Sequence, residues 1–289
     1  MSTEFNKSVI DLIKIRKSIR SYESVDLKQE DKKKIIDFIK KDHDTVFGCK
    51  LRFDFIDASD LDPSDLKNLD TYGMITGAKY FIAGTDKSNS KKDHCLVDFG
   101  YVFEKIILFI TDLGFGTCWL GGTFNKKGFS EKIMLKQDEV IPAVSPFGII
   151  SKKRHLKSSV IRALAGSKNR KPWDKLFFNN NFLNPLDESD SGSYKVPLEM
   201  VRLGPSASNL QPWRIIRENN IFHFFIKRTK RTGYLNIQYI DMGISLCHFE
   251  LAASELDMKG EWKVKAGIQQ NKKYGIPSNI YYIISWNGS

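Results

Sequence analysis

An internal repeat limits the possible folds of this chain more than any other sequence feature. Residues 96–119, LVDFGYVFEKIILFITDLGFGTCW, align without a gap with residues 239–262, YIDMGISLCHFELAASELDMKGEW. Identical residues recur at one constant spacing: Asp98 with Asp241, Gly100 with Gly243, Leu113 with Leu256, and Trp119 with Trp262. Apolar residues also recur at helical spacing in both copies, which predicts a long helix buried on at least one side in each half.

Segments of strand character surround both predicted helices. LRFDFIDA and AKYFIAG precede the first helix, WRIIRENNIFHFFIK precedes the second, and AVSPFGII and NIYYIISW follow them. Each half is therefore predicted to be an α+β unit. Residues 177–197, FFNNNFLNPLDESDSGSYKVP, are interpreted as a connection. We place the boundary at Phe178, with halves at 1–178 and 179–289, arranged like a fused homodimer around a pseudo-twofold interface.

Composition and charge narrow the function classes. The chain has 289 residues, of which 41% are apolar and 27% are charged, as expected for a globular protein. Its net charge of +11 is compatible with nucleic acid, acidic membranes or small anions as partners. The lysine-rich runs lack interleaved aromatic residues, so a solvated basic surface is favoured over nucleic acid binding. We find no export signal or membrane span, and we predict neither nucleic acid nor membrane partners.

The cysteines and histidines give no sign of a metal site. The four cysteines are widely scattered: Cys49, Cys95, Cys118 and Cys247. Because no C-x-x-C pair is present, neither a zinc knuckle nor a disulfide framework is indicated, and a reducing, cytoplasmic location is predicted. No histidine has a second ligand at metal-binding spacing. No G-x-S-x-G motif is present, so acyl-transfer chemistry has no support.

Three segments carry residues suited to binding an anionic or flat ligand. KIRKSIRSY offers Arg16, Lys17, Ser18 and Arg20, whose charged groups and hydroxyl suit a phosphate, although a solvated helix end has the same pattern. In LGFGTCWLGGTF, Gly121 and Gly122 allow close backbone approach to a flat ligand, or they follow a helix cap and a buried strand. SKKRHLK places Lys152 and Arg154 on one face of an extended backbone, where they either clamp an anion or end a strand.

A fourth segment, VRLGPSASNLQPWRII, is more polar than a connection needs. Together, RKSIRSY, GFGTCWLGG, SKKR and PSASNLQPW resemble the signature of the nitroreductase family, FMN-dependent NAD(P)H oxidoreductases that fold as α+β dimers. The resemblance implies that the FMN phosphate and ribityl chain are gripped by Arg16, Lys17, Ser18, Arg20, Lys152 and Arg154. It implies that the backbone of Trp119, Leu120, Gly121 and Gly122 lies beside the isoalloxazine ring. It also implies that the flavin is contacted from the other half by Pro205, Ser206, Ser208 and Asn209.

The distribution of these motifs implies one complete FMN site per chain, between the halves, and one degenerate site. The first half has TVFGCKLRF where the P-S-x-x-N motif would belong, and the second half lacks both R-K-S-x-R and C-W-L-G-G. The resemblance implies that NADH or NADPH reduces the flavin, which then reduces a nitroaromatic, quinone or flavin acceptor, with no catalytic acid, base or nucleophile required. The alternative function is a non-catalytic flavin-binding or sensor protein. Because the two halves already form a pseudo-dimer, a monomeric state is compatible with this arrangement.

One departure from the family pattern concerns the flavin pyrimidine. Many family members carry Asn and Lys before the strand that corresponds to GAKYFIAG, whereas this chain has Thr71 and Met74. The missing lysine would remove a positive charge that stabilises reduced, anionic flavin. Either another cation such as Arg214 replaces it, or the redox potential differs.

Overall fold

Each half combines helices with one sheet. The computed structural model describes residues 4–61, 69–87, 92–152, 169–229 and 237–289. The first half contains helices α1 (Val9–Ile15), α2 (Gln29–Ile39), α3 (Lys92–Asp112) and α4 (Lys126–Lys132), with strands β1 (Arg52–Asp57), β2 (Tyr80–Lys87), β3 (Gly116–Thr117) and β4 (Glu139–Gly148). The remainder contains α5 (Lys195–Leu203) and α6 (Gln238–Glu255), with β5 (Phe177–Asn179), β6 (Trp213–Glu218), β7 (Ile221–Lys227), β8 (Gly260–Lys263) and β9 (Ile280–Gly288).

The two sheets share one strand order. The first sheet runs β1-β2-β4-β3, and the second runs β5-β6-β7-β9-β8. If the edge strand β5 is left out, the second sheet runs β6-β7-β9-β8. When the strands of each sheet are then numbered along the chain, both sheets have the order 1-2-4-3. All these neighbours pair antiparallel, and β5 alone pairs in parallel, with β6. The repeated order confirms the two related α+β halves predicted from the sequence.

Helices α3 and α6 pack against each other through the glycines of the repeat. A Cβ atom on Gly100 would lie 2.1 Å from the Ile240 carbonyl oxygen, and one on Gly243 would lie 2.0 Å from the Val97 carbonyl oxygen. Val97 and Ile240 occupy equivalent repeat positions, as do the two glycines, so the contact is reciprocal in the manner of a twofold interface. The fold is therefore an intramolecular pseudo-dimer.

The interior of the molecule is built around these two helices. Val102, Ile106 and Ile110 of α3 are buried, as their helical spacing predicts, and α6 is buried along most of its length. A helix that is apolar on all sides must be covered on all sides, and here each helix is covered by its partner and by other elements of both halves. None of the described helices combines the length and apolar character needed to cross a membrane.

The interpretation of residues 177–197 as a bare connection is wrong. This segment contains β5, which pairs with β6, and the 3₁₀ turn Ser189–Tyr194. Phe177 is fully buried and Leu186 nearly so. The Asn-, Ser- and Pro-rich composition hid the strand because only three residues form it, too few to show periodicity. The division at Phe178 falls within β5 and remains a prediction.

The cysteines also differ from the expectation of no disulfides. Cys49 and Cys95 form a disulfide, with Cα atoms 5.5 Å apart, whereas Cys118 and Cys247 are buried free thiols. The bond joins the loop before β1 to the first turns of α3, across a sequence separation of 46. Such a pairing depends on tertiary contact, so isolated cysteine spacing could not reveal it.

Candidate functional site

A cavity of about 430 Å³, here called the inter-half cavity, is lined by residues from both halves. This volume lies in the range of small-molecule sites. The first part of the chain contributes Arg16, Lys17, Ser18, Arg20, Trp119, Gly121, Ala143 and Arg170. The second contributes Pro205, Ser206, Ala207, Ser208, Asn209, Ile237, Ile240, Asp241 and Ile244. The basic segment and the P-S-x-x-N segment, far apart in sequence, therefore meet at one site.

The basic segment is held in place by pairing with β3. Helix α1 ends at Ile15, after Ser8 has capped its N-terminus by accepting a hydrogen bond from the Asp11 N–H. Ser18 then forms a bridge with Thr117, and the Ile19 N–H donates to the Thr117 carbonyl at 2.8 Å. Ile19 is buried. This anchoring fixes the backbone from which the charged side chains reach the cavity.

Arg16 and Arg20 present buried donors to the inter-half cavity. The Arg16 side chain is only 5% exposed, and its Nε lies 3.7 Å from Glu104 Oε1. Within the described residues, Arg16 Nε and Nη1 and Arg20 Nε are buried without a hydrogen-bond partner. Buried polar groups in folded proteins are nearly always hydrogen-bonded, so unpaired guanidinium donors beside a cavity indicate an anionic ligand.

Glu104 connects Arg16 to two other side chains across the halves. It is fully buried, accepts a hydrogen bond from Trp119 Nε1 at 2.7 Å, and lies 2.9 Å from His248 Nε2. His248 Nδ1 lies 2.9 Å from the Met200 carbonyl, which can only accept, so Nδ1 carries a proton. A proton must also lie between Nε2 and Glu104, on one of the two. This network positions Arg16 and Trp119 at the cavity wall.

The polar loop, residues 205–211, adopts an unusual backbone. Ser208, Asn209 and Gln211 all have positive φ, at 51°, 53° and 46°. Such residues cost about 1–3 kcal/mol each and persist where the surroundings hold them. Asp241 Oδ1 accepts from the Ala207 N–H at 3.0 Å, and Ser206 Oγ accepts from the Gln211 N–H at 2.9 Å. The polar side chains thus fix a loop shape that faces the cavity.

Arg170 is a cavity residue that sequence reasoning missed. Its Nη1 donates to Asn209 Oδ1 at 2.8 Å, and its Nη2 donates to the Leu203 carbonyl at 2.8 Å. Burial, and secondarily the charge of Arg16, lowers the pKa of Arg170 to about 10. No motif surrounds this arginine, and tertiary contact alone brings it to the site.

Comparison with known proteins gives the family. The sequence matches a family profile described as "Putative TM nitroreductase" over residues 8–253. The chain belongs to this nitroreductase family. Among curated proteins, sequence comparison finds no match.

Solved nitroreductase structures resemble the chain as well. A "putative nitroreductase" from Thermotoga maritima is 18% identical, covers 97% of this chain and 94% of its own, and superposes with a TM-score of 0.60, which establishes a shared fold. An FMN-dependent nitroreductase from Clostridium difficile R20291 is 19% identical over 53% of this chain and 95% of its own, with a TM-score of 0.41. An Exiguobacterium sibiricum protein solved in complex with FMN is 17% identical over 54% and 97%, with a TM-score of 0.42.

Some residues predicted from the nitroreductase resemblance do not line the inter-half cavity. Leu120 is buried in a separate apolar cluster and pairs with Val144 of β4. Gly122 and Lys152 are exposed and are not among the described lining residues. Arg154 lies outside the described residues. An alternating strand pattern could not show which neighbours of Gly121 turn away from the ligand.

Of the two alternatives for the missing nitroreductase lysine, replacement by Arg214 gains no support from the position of that residue. Arg214 lines a different cavity, and among the described residues the cations of the inter-half cavity are Arg16, Lys17, Arg20 and Arg170. Thr71 is buried, its Oγ1 accepting from the Ile75 N–H, and neither it nor Met74 is among the described lining residues.

A second loop occupies the position equivalent to the polar loop. Asp98, the repeat equivalent of Asp241, accepts hydrogen bonds from the N–H groups of Val46, Phe47 and Cys49 at 2.8–3.1 Å. Phe47 stacks on His94 at 4.3 Å between ring centroids. This twin loop, residues 44–49, thus has the same anchor as the polar loop but carries Val, Phe and a disulfide-bonded Cys where the polar loop has Pro, Ser and Asn.

Proposed function

We propose that this chain is an FMN-dependent NAD(P)H oxidoreductase that holds FMN in the inter-half cavity. The buried guanidinium nitrogens of Arg16 and Arg20 that donate no hydrogen bond among the described residues carry the proposal. They supply donors suited to a phosphate, and they lie in a cavity whose opposite wall is the polar loop. The motif resemblance and the donor chemistry therefore agree on the same ligand.

The side chains divide the work of binding. Arg16, Lys17, Ser18 and Arg20 would hold the phosphate and ribityl chain, and Arg170 adds a further cation that also fixes Asn209. Trp119 and Gly121 would lie beside the ring system. A Cβ on Gly121 would come 2.0 Å from Ile237 Cδ1 of the other half, so a larger residue there would have to displace the end of that side chain. Pro205, Ser206, Ser208 and Asn209 would contact the cofactor from the second half.

The protein's contribution to the reaction is binding, orientation and charge. Bound FMN would supply the redox chemistry, taking hydride from NADH or NADPH and passing electrons to a nitroaromatic, quinone or flavin acceptor. The cluster of guanidinium groups stabilises negative charge in the cavity. Ile237, Ile240 and Ile244 form an apolar wall that limits the access of water. We assign no catalytic acid, base or nucleophile.

The twin loop predicts one FMN per chain. Its Asp98 accepts three backbone N–H groups, as a preserved structural anchor, but it offers no Ser or Asn side chain in the motif positions. The Phe47–His94 stack and the Cys49–Cys95 bond also fasten it to α3. We propose that the FMN content of the purified, reconstituted protein is one per chain, by absorbance against protein concentration.

The visible spectrum of the purified protein, with or without FMN reconstitution, tests the proposal. Anaerobic addition of NADH or NADPH should bleach the flavin absorbance, after which acceptors are added in turn. Bound flavin that neither nucleotide reduces would favour the non-catalytic, flavin-binding alternative. Failure to bind FMN at all would overturn the proposal.

Two variants test the shared site. Arg16→Ala and Asn209→Ala lie in different halves, and each should weaken FMN binding at least tenfold, since each removes polar contacts to one ligand. Lys14→Ala is the control, because Lys14 projects from α1 into solvent. Normal FMN affinity in Asn209→Ala alongside lost affinity in Arg16→Ala would refute the cross-half geometry.

A further inference from the structure

We propose that the protein carries a separate binding site for a small organic anion with a flat apolar body. The site is a groove of about 500 Å³, here called the cationic groove, whose lining includes Lys171, Arg214 and Lys227. It shares no lining residue with the inter-half cavity and lies behind the polar loop. The inference does not depend on the proposed function.

Three of the four cations that line the groove, Lys171, Arg214 and Lys227, have no carboxylate partner among the described residues. The groove's one carboxylate, Asp174, lies 2.9 Å from Lys175 Nζ. The neighbouring sequence segments 153–168 and 230–236 contain no Asp or Glu. Among the described residues, these three cations are therefore free to pair with the charge of a bound anion.

Arg214 gives the groove a built anion-binding element. The residue is only 6% exposed, and its Nη1 donates to the Gln211 and Trp213 carbonyls at 3.0 and 2.6 Å. Among the described residues, its Nε and Nη2 make no hydrogen bond. Burial lowers the pKa of Arg214 to about 10, and burial together with the charges of Arg214 and Lys227 lowers the pKa of Lys171 to about 8. An anion would relieve this repulsion.

The rest of the groove is apolar and defines the body of the ligand. Phe178, Phe182 and Ile280 form its walls with two prolines. A bare inorganic anion would leave these walls exposed to water, whereas an aromatic carboxylate or sulfonate would cover them and place its charge among the cations. A flat aromatic anion would therefore cover the apolar walls and pair with the cations at the same time.

The test uses the full-length protein and a matched set of probes. The anionic dye 8-anilinonaphthalene-1-sulfonate, its neutral analogue N-phenyl-1-naphthylamine and sodium sulfate are titrated calorimetrically. We expect the anionic dye to bind about tenfold more tightly than either of the others, and to weaken as ionic strength rises. Equal affinity of the neutral dye would overturn the inference, as would sulfate binding as tightly as the dye. Dye binding that is lost in Arg16→Ala but kept in both Lys171→Met and Lys227→Met would also overturn it, by placing the dye in the inter-half cavity.

Variants locate the binding. Lys171→Met and Lys227→Met keep apolar stems and should each weaken dye binding about tenfold, since each removes a charged contact. Lys175→Met is the control, because its ammonium already has Asp174 as partner, and should change affinity less than threefold. Unchanged affinity in both test variants would contradict the assignment. The probe comparison on the native protein decides the matter if a variant misfolds.

Discussion

At the scale of single residues, Glu104 organises the wall of the inter-half cavity. Its carboxylate receives the Trp119 indole N–H and faces His248 and Arg16. Trp119 and Arg16 belong to the first half and His248 to the second, so one buried carboxyl group connects the two halves behind the proposed FMN site. Glu104 therefore helps to hold the two halves together and positions Arg16 and Trp119 at the cavity wall.

Replacement of Glu104 should distinguish its polarity from its charge. Glu104→Leu leaves the Trp119 N–H without an acceptor and removes the carboxylate that forms an ion pair with Arg16, so it should lower the free energy of unfolding by about 3–5 kcal/mol. Glu104→Gln can still accept from Trp119 and donate to His248, so its loss should stay near 1 kcal/mol. Urea unfolding of both variants measures the difference. Equal losses would show that hydrogen bonding at this position contributes little.

The candidate site could be predicted from the sequence only in part. Arg16, Ser18 and Asn209 stood out because polar side chains clustered between apolar segments. Glu104 was hidden inside an apolar helix, and Arg170 had no motif around it. Both reach the cavity through contacts with residues remote in sequence, Arg170 with Leu203 and Glu104 with His248. Spacing rules describe neighbours along the chain and cannot report such contacts.

At the scale of elements, the close crossing of α3 and α6 should make both glycines sensitive to substitution. Gly100→Ala and Gly243→Ala each push a Cβ into a carbonyl oxygen of the facing helix, and each should destabilise the protein by about 2–4 kcal/mol despite the better helix propensity of alanine. The losses should be similar because the contacts are reciprocal. Thermal and urea unfolding measure them.

Gly122→Ala is the matched control for that prediction. No atom lies within 4 Å of a Cβ built on Gly122, so its free energy of unfolding should change by about 0.5 kcal/mol or less. A control loss as large as that of Gly100→Ala would mean that the helix crossing is looser than its geometry indicates.

The end of strand β6 carries a pH-dependent contact. Glu218 lies 2.7 Å from Lys273 Nζ and accepts from the Tyr274 hydroxyl at 2.8 Å, which lowers the pKa of Glu218 to about 2. Because the folded pKa is below the ordinary value of about 4.3, this contribution is present above pH 4.3 and is lost as pH falls towards 2. We expect about 1–2 kcal/mol after solvent screening.

Comparison with Glu218→Gln isolates this group. Urea unfolding between pH 2 and pH 5 should show a shallower loss of stability on acidification in the variant than in the native protein, since the variant has no carboxyl to protonate here. Parallel curves would assign the acid sensitivity to other carboxylates.

At the scale of the whole molecule, the Cys49–Cys95 bond should stabilise the fold. It closes a long loop, with a sequence separation of 46, and chain-entropy arguments give about 3–4 kcal/mol for such a closure. Cys49→Ser or added reductant should therefore lower the melting temperature. FMN affinity should change little, because the bond fastens the twin loop and not the inter-half cavity. A large loss of FMN affinity at constant stability would contradict this separation.

The global topology was the part of the fold most open to prediction. The repeat predicted two α+β halves because it preserved a helix, its crossing glycine and the strand pattern around it. Strand β5 and the disulfide escaped prediction, since a three-residue strand has no period and a cysteine pair has no local signature. The features that could be predicted were those that recur in both halves of the sequence.

The reciprocal glycine contact has a genetic consequence. In a homodimer, one codon change alters both sides of the interface, so every substitution must be tolerated at two equivalent positions. Here Gly100 and Gly243 have separate codons, and so do the polar loop and the twin loop. Either half can therefore change while the other stays constant. A single gene can keep the polar loop at one ligand site while the twin loop changes into a segment that only supports the fold.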